Sequence, residues 1–578
     1  MTAPGNDNTT SSTSNPSPIL PHDDLIEERK CRDPIFSILF LAHLIFILFL
    51  AFGIGIPVIE AALAMAATRG TGAAAAATAA ALADAASTRL DARALIASVG
   101  VAIGAASVSS ITMLFILATF GGVMINFIFI FAATAQIIAG ALLASTASPP
   151  VGAVLILLGI LTFFFYFCTR ARIAFAAAHV EVAAAAIAAA PTVVFVAIFA
   201  LLSQAVCSCI WALAAVGLGA AIAPTNSTIS ATFANVAAVE SLREHLSPAT
   251  DATRATAAIC LLLSFFWISV VIREIVAFIA ASLTGTWWMK GAHAKHTVAR
   301  ACCHALTYSL GSLAIGGLFV GIVRTMKFIA TAHSKAAAKG NATNICARIA
   351  ITIATLIVTC IASVVEWANE WAIVVVALTG FSFIKGGTTA ATLFKNRGLD
   401  AVVNQSIIGA TLVAASLLSA AIGAAAGGAA AYTFLGEETA NRTYQAGLTA
   451  LCCFFIGYAM TTALMPVISA STRAVFVLYA LSPRTAAITH PEHLQRLASA
   501  WALFHPETHE LSGYNSAMSN NNSAVAGGAK KGTIIESADD GTVVTMAPHY
   551  AYTSTTTTSA PKVYGGPPVV YGGGGVGL

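Results

Sequence analysis

Long apolar runs separated by short polar or glycine-rich breaks dominate this chain, and their lengths match what crosses a bilayer. A helix rising 1.5 Å per residue needs ~20 apolar residues to span the hydrocarbon. The first run, Pro34–Ile59, follows a charged patch, Glu27–Asp33. Between Arg93 and Arg170 no Asp, Glu, Lys, Arg or His occurs. That stretch accommodates three spans near residues 96–119, 123–145 and 151–169, with breaks at Gly121-Gly122 and Ser148-Pro149-Pro150. A fifth span follows at Val193–Ile222, a sixth at Thr256–Gly285 and a seventh at Ala301–Arg324, the last two joined by an aromatic and basic turn, Gly285–Arg300. Further spans are predicted at Ile349–Val365, Ser406–Ala431 and Ala446–Ala470. Residues 372–400 are apolar but broken by Gly380, Gly386 and Gly387, and read as a re-entrant or interfacial piece rather than a full crossing.

The pattern predicts an all-α polytopic transmembrane helix bundle of about ten spans. A polar tail, residues 1–33, precedes a transmembrane domain, 34–481; an amphipathic segment, 482–511, and a Ser-, Thr-, Asn- and Gly-rich tail, 512–578, follow. Both tails have too little apolar surface to offset the entropy of ordering and read as disordered and cytoplasmic. The Ala-rich piece Glu60–Arg93 reads as a helix outside the membrane. Lys and Arg before the first span, and Arg170 and Arg172 after the fourth, suit cytoplasmic ends. Between Arg324 and Arg348 alternation and the positive-inside rule pull in opposite directions, because Lys327, Lys335 and Lys339 fall in a loop that alternation puts outside. Asn226-Ser227-Thr228 is a glycosylation acceptor pattern in a loop that alternation also puts outside.

Composition agrees with the pattern. Of 578 residues 58% are hydrophobic and 9% charged, against about 25% charged in a soluble domain. The net charge of +4 is too small and dispersed for nucleic acid. The eleven cysteines fall mostly inside apolar runs and read as buried thiols acting as small apolar side chains. Cys302, Cys303 and His304 are consecutive on a helix and so point in different directions, which argues against a metal site. No cofactor is called for. No nucleophile and base pair, phosphate-binding loop or metal-ligand spacing suggests an enzyme.

The chemistry concentrates in the sixth span. Arg273 and Glu274 sit in its middle, and an ionisable residue there is a functional candidate by default, or else pairs with a neighbouring helix to hold the bundle. Glu366 and Glu370 share a helical face after the eighth span.

Several blocks resemble one known family. Lys295–Arg324, KHTVARACCHALTYSLGSLAIGGLFVGIVR, resembles the signature of the choline transporter-like family. Cys31-Arg32-Asp33 at the first span, Arg170–Ala176, Asn369–Phe383 and Thr392–Asn404 are similar to further elements of that family. His490–Trp501 is like the carboxyl-terminal piece of its fungal and protist members. The likeness covers roughly residues 31–505 and departs at Trp371-Ala372-Ile373 and Ser482-Pro483.

The resemblance implies a carrier with about ten spans and both termini cytoplasmic, moving choline or a related amine such as ethanolamine, facilitative or proton-exchanging. It implies the plasma membrane first and an internal organelle membrane second. The partners so implied are a small-molecule amine and the lipid bilayer. Two alternatives stay open: a protein of the same fold moving another solute or lipid head group, and a non-transporting scaffold or receptor. A quaternary ammonium has no hydrogen to donate, so its recognition falls to aromatic faces and a carboxylate. The candidate substrate-binding residues are Phe266, Trp267, Arg273, Glu274, Trp287, Tyr308, Trp371 and Phe381.

Overall fold

The computed structural model describes residues 30–61, 92–146, 149–223, 236–246, 250–291, 297–339, 345–397, 400–435, 442–481, 485–486, 489–506 and 509. Residues 1–29 of the first tail, the second tail, most of the Ala-rich piece 60–93 and the Asn226 acceptor pattern lie outside them; residues 30–33, read from the sequence as the end of a disordered tail, are described, and Arg32 and Asp33 bond to the bundle. Among the described residues the chain is helical without a strand. The helices are α1 (Pro34–Phe49), α2 (Ala92–Thr146), α3 (Pro149–Thr169), α4 (Ile173–Ala188), α5 (Val193–Ala221), α6 (Ala237–Leu246), α7 (Asp251–Lys290), α8 (Thr297–Cys303), α9 (Leu310–Lys339), α10 (Ile345–Thr379), α11 (Phe383–Arg397), α12 (Asp400–Phe434), α13 (Arg442–Leu481) and α14 (Pro491–Phe504). Nine helices among the described residues are long and apolar enough to cross a membrane. The chain is a multi-pass integral membrane protein.

The predicted spans are present, but several helices run further than the hydropathy breaks suggest. The pair expected either side of Gly121-Gly122 is one continuous helix, α2. A glycine inside an apolar helix does not break it where there is no water to compete for the backbone. The aromatic turn predicted from Gly285 is helical as far as Lys290, because Trp287 and Trp288 are buried there, and the helix stops only at Gly291 with φ 74°. The seventh span continues to Lys339, so Lys327 and Lys335 lie on outer turns of α9 and not in a loop. The eighth continues through Glu366 and Glu370 to Thr379, and the tenth through Arg473 to Leu481 with Pro466 inside. Charged residues ended these spans in the sequence reading; in the fold they are paired with neighbouring helices and the helices go on. Residues 372–379 are therefore the last turns of α10, and α11 is a separate helix of 15 residues, shorter than a crossing needs. All eleven cysteines are free thiols. Only Cys453 is buried; most of the others lie on the outer surface of the bundle, where a span meets lipid.

Two interruptions organise the centre. Between α8 and α9 the chain winds through a π-turn, His304–Tyr308, in which the Ser309 N–H donates to the His304 carbonyl at 3.0 Å. Between α10 and α11 it turns at Gly380, whose φ of 77° favours glycine. The segment before α1 ties both interruptions together. The Arg32 N–H donates to the Tyr308 carbonyl at 3.0 Å, and Arg32 Nε to the Gly380 carbonyl at 3.3 Å. Asp33 Oδ2 accepts from Ser312 Oγ at 2.6 Å and from the Phe383 N–H at 3.0 Å, capping the start of α11. Gly311 lets these backbones meet, since a Cβ there would overlap the carbonyl oxygens of Arg32 and Asp33.

The carboxyl-terminal helix is locked to the bundle by aromatic packing. Trp501 of α14 stacks on Tyr479 at 4.8 Å and donates its indole N–H to His179 Nε2 at 3.1 Å. His179 lies flat on Phe476 at 3.7 Å and bonds the Phe175 carbonyl through Nδ1 at 2.8 Å. A carbonyl only accepts, so Nδ1 carries the hydrogen and the ring is the neutral tautomer. Arg496 pairs with Glu181 at the rim.

Two predictions follow from these contacts. Gly311→Ala should lower the melting temperature in detergent by about 5 °C, the size of one overpacked contact, whereas Gly219→Ala, whose Cβ meets nothing within 4 Å, should not lower it; equal effects would contradict the close approach. Burial pushes His179 from its ordinary 6.5 down to about 3. The unfolded chain then takes up a proton before the folded one, so stability held above pH ~6.5 falls as the pH drops towards 3. A pH series of melting temperatures should show this slope, and His179→Gln should flatten it.

Candidate functional site

Seven polar side chains from four helices form one layer inside the bundle. Helix α7 supplies Arg273 and Glu274, α9 supplies Arg324, α10 supplies Glu366, Asn369 and Glu370, and α13 supplies Arg473. The three α10 residues stand at i, i+3 and i+4 and share a face. Arg324 grips Glu366 with two bonds, Nε to Oε1 at 2.9 Å and Nη2 to Oε2 at 3.2 Å. Glu370 lies between two guanidiniums, with Arg473 Nη2 at 2.8 Å and Arg273 Nη1 at 3.9 Å. Arg473 also reaches Ser469 at 3.3 Å.

Glu274 is held differently. It is 4% exposed, and its bond is from Asn369 Nδ2 to Oε1 at 2.5 Å. Glu274 Oε2 and Asn369 Oδ1 are both buried without a hydrogen-bond partner. Gly316 of α9 makes room for Asn369, since a Cβ at Gly316 would strike Oδ1 and the ring of Phe383. One hydrogen bond to a charged group contributes about 1.5–3 kcal/mol. Taking a carboxylate out of water costs several kcal/mol per ion. An ionised Glu274 would sit there at a net cost to stability, which makes it a candidate functional group.

The predicted aromatic residues do not converge on Glu274. Trp267, two turns away, donates its indole N–H to the Ala314 carbonyl at 2.9 Å and packs on Phe40 and His43, at 5.3 and 4.9 Å, joining α1, α7 and α9. Phe266 is half-buried beside Phe265 and Phe328. Trp287 lies ~20 Å along α7 from Glu274 at 1.5 Å per residue, stacked on His490 at 3.7 Å. Tyr308 closes the π-turn, partly exposed, near His304. Phe381 is buried under the Lys385 ammonium, which sits 3.6 Å from its ring centre. Trp371, next to Glu370, is buried against Phe394 at 4.7 Å and Phe476 at 6.2 Å. No ring contact joins any two of the six. The structure brings together Arg273, Glu274 and, beside Glu370, Trp371. Arg324, Asn369 and Arg473 were not among the sequence candidates. Arg473 carries a usable signal, a lone charge within an apolar run, hidden where the span is ended at Ala470; Asn369 is uncharged, and its signal is that it opens the family-like block Asn369–Phe383.

With this geometry in hand, comparison with known proteins decides the family. The family model described as plasma-membrane choline transporter matches residues 153–484. The chain belongs to the choline transporter-like family. Its matched region includes every residue of the layer. Among relatives, Protein PNS1 of Candida albicans is 30% identical over 25% of this chain and 28% of its own length. A CTL-like protein of Dictyostelium discoideum is 23% identical over 44% of each chain, and Protein PNS1 of Neurospora crassa is 26% identical over 41% of this chain and 42% of its own. The chain thus matches less than half the length of each of these relatives.

The pairing in the layer is testable by a double-mutant cycle. Arg324→Gln alone leaves Glu366 without its partner and should destabilise the protein by about 3 kcal/mol. Arg324→Gln with Glu366→Gln should recover part of that loss in thermal unfolding; additive losses would mean that the two are not coupled.

Proposed function

We propose that this protein is a transmembrane carrier for choline or a related amine such as ethanolamine, in the plasma membrane, with Glu274 as the carboxylate that receives the ammonium group. The observation that carries the reading is the Glu274 carboxylate, buried mid-span with one oxygen free. Family membership supports the carrier role and the amine class. A buried carboxyl group held by a neutral amide has no fixed cation within hydrogen-bond range, which leaves it open to pair with a permanent cation that donates no hydrogen. The two interruptions, at His304–Tyr308 and at Gly380, supply the joints that alternating access needs, since irregular backbone within a bundle is tolerated where protein or a wet cavity covers it.

Labelled choline uptake into proteoliposomes tests this directly. Purified protein should show saturable uptake, and Glu274→Gln should reduce it at least about tenfold, the loss expected when a charged contact is removed. Uptake undiminished in the variant would reassign Glu274 to a structural role. No uptake of choline or ethanolamine by well-folded protein, with a pH gradient imposed in either direction, would overturn the carrier reading.

A further inference from the structure

The charges of the layer do not cancel pair by pair. Three guanidiniums, Arg273, Arg324 and Arg473, face three carboxylates, Glu274, Glu366 and Glu370. Arg324 and Glu366 neutralise one another through two bonds. Glu370 is shared by Arg273 and Arg473, so this trio holds one positive charge in excess. Glu274 is paired with no guanidinium, and the amide that holds it is neutral. The layer therefore presents one guanidinium in excess and one acid, Glu274, that no guanidinium meets at salt-bridge distance.

The unsatisfied hydrogen-bonding atoms divide in the same way. On the Glu274 side the unpartnered atoms are both oxygens, Glu274 Oε2 and Asn369 Oδ1. Beside Glu370 the N–H donors Arg473 Nε and Trp371 Nε1, on side chains 4% and 2% exposed, are unpartnered, as are Trp367 Nε1 one turn before Trp371 and the Ser471 hydroxyl near Arg473. Trp371 and Arg473 belong to one packed patch, for the Trp371 ring contacts Phe476, which lies one turn along α13 from Arg473. Buried polar atoms are almost always paired, so oxygens left open on the Glu274 side and N–H donors left open on the Glu370 side point to a ligand that brings the complementary groups.

We infer that the layer binds a small zwitterion, with its ammonium against Glu274 and Asn369 and its anionic group against Arg473 and Trp371. The inference rests on the carrier reading only in taking this layer as the substrate site. A lone cation would answer the oxygens by charge and leave the guanidinium excess and the N–H donors unanswered, whereas a cationic and an anionic oxygen group on one skeleton answer both sets. Carboxylate and phosphate share the chemistry required at the Arg473 end.

The test compares three probes that share a trimethylammonium group: choline, trimethylglycine (a carboxylate zwitterion) and phosphocholine (a phosphate zwitterion). Thermal shift of the full-length protein in detergent reads binding without transport. At least one zwitterion should stabilise the protein at a concentration about tenfold below that needed for choline, and the better of the two identifies the anionic group. Trp371→Phe, which keeps the ring and loses the N–H, should lower the preference for that zwitterion over choline several-fold, read as the ratio of the two stabilising concentrations; Arg473→Lys is the stronger test if it folds. Choline binding as tightly as both zwitterions, or a zwitterion preference unaltered in Trp371→Phe, would overturn the assignment. Uptake measurements separate this from the carrier reading: zwitterion binding without uptake of any amine removes the carrier and keeps the site, while uptake of choline with no zwitterion preference does the reverse.

Discussion

The constraint on which the rest of this structure depends is the cost of ionic groups inside an apolar bundle. A charge in the middle of a span must find an opposite charge, a fixed dipole or water, and each requirement fixes where a neighbouring helix can lie. Arg324 on α9 and Glu366 on α10 set the register of those two helices, and Arg473 does the same for α13 against Glu370. Small residues permit the approach that such contacts demand. Gly316 leaves the space that Asn369 and Phe383 fill, and Gly217 of α5 lies against the backbone of Ile54 and Gly55 in the π-turn that continues α1.

The layer and the segment before α1 are linked by one side chain. Phe383 gives its N–H to Asp33, while its ring lies against Gly316 beside Asn369 Oδ1. Asn369 in turn holds Glu274. The contacts thus run without a gap from Arg32 and Asp33, through the start of α11, to the buried carboxylate. The blocks that carry the family likeness, Cys31–Asp33, the run through Ser312 and Asn369–Phe383, are far apart in the chain and meet at this junction. Their common feature is a backbone that leaves the regular α-helix, and each departure is met by a group from another block, which supplies the partners that buried backbone requires.

How much could be read from the sequence follows from the same physics. The spans were legible because hydropathy measures what lipid selects, and α5 matches its predicted limits almost to the residue. The ends of α7, α9, α10 and α13 were not, since Lys, Glu and Arg were taken as exits from the membrane. Whether a charge terminates a span or is paired within it depends on the neighbouring helix, which periodicity along one chain does not encode. Arg273 and Glu274 were legible as costly residues. Their partners were less so: Glu366 and Glu370 showed a shared face but not the guanidiniums that meet it. The aromatic candidates show the converse failure. A Trp in a span can anchor, pack or bind, and Trp267 and Trp287 are committed to Ala314 and His490 by contacts no local pattern announces.

Satisfaction of polar groups, more than the presence of rings, distinguishes the binding chemistry open to this site. Trp267 has spent its indole hydrogen on a backbone carbonyl, and Phe381 already faces an ammonium of its own chain. Trp371 has the same ring chemistry but an indole hydrogen with no acceptor, and it stands beside an arginine in the same condition. An aromatic cage for a bare cation needs ring faces turned towards one point, and these six rings are dispersed along α7, the π-turn and the end of α10. A site built from unanswered groups of both kinds needs no such convergence. The selectivity of the proposed site would come from the desolvation cost that a ligand failing to answer groups of both kinds would leave in place.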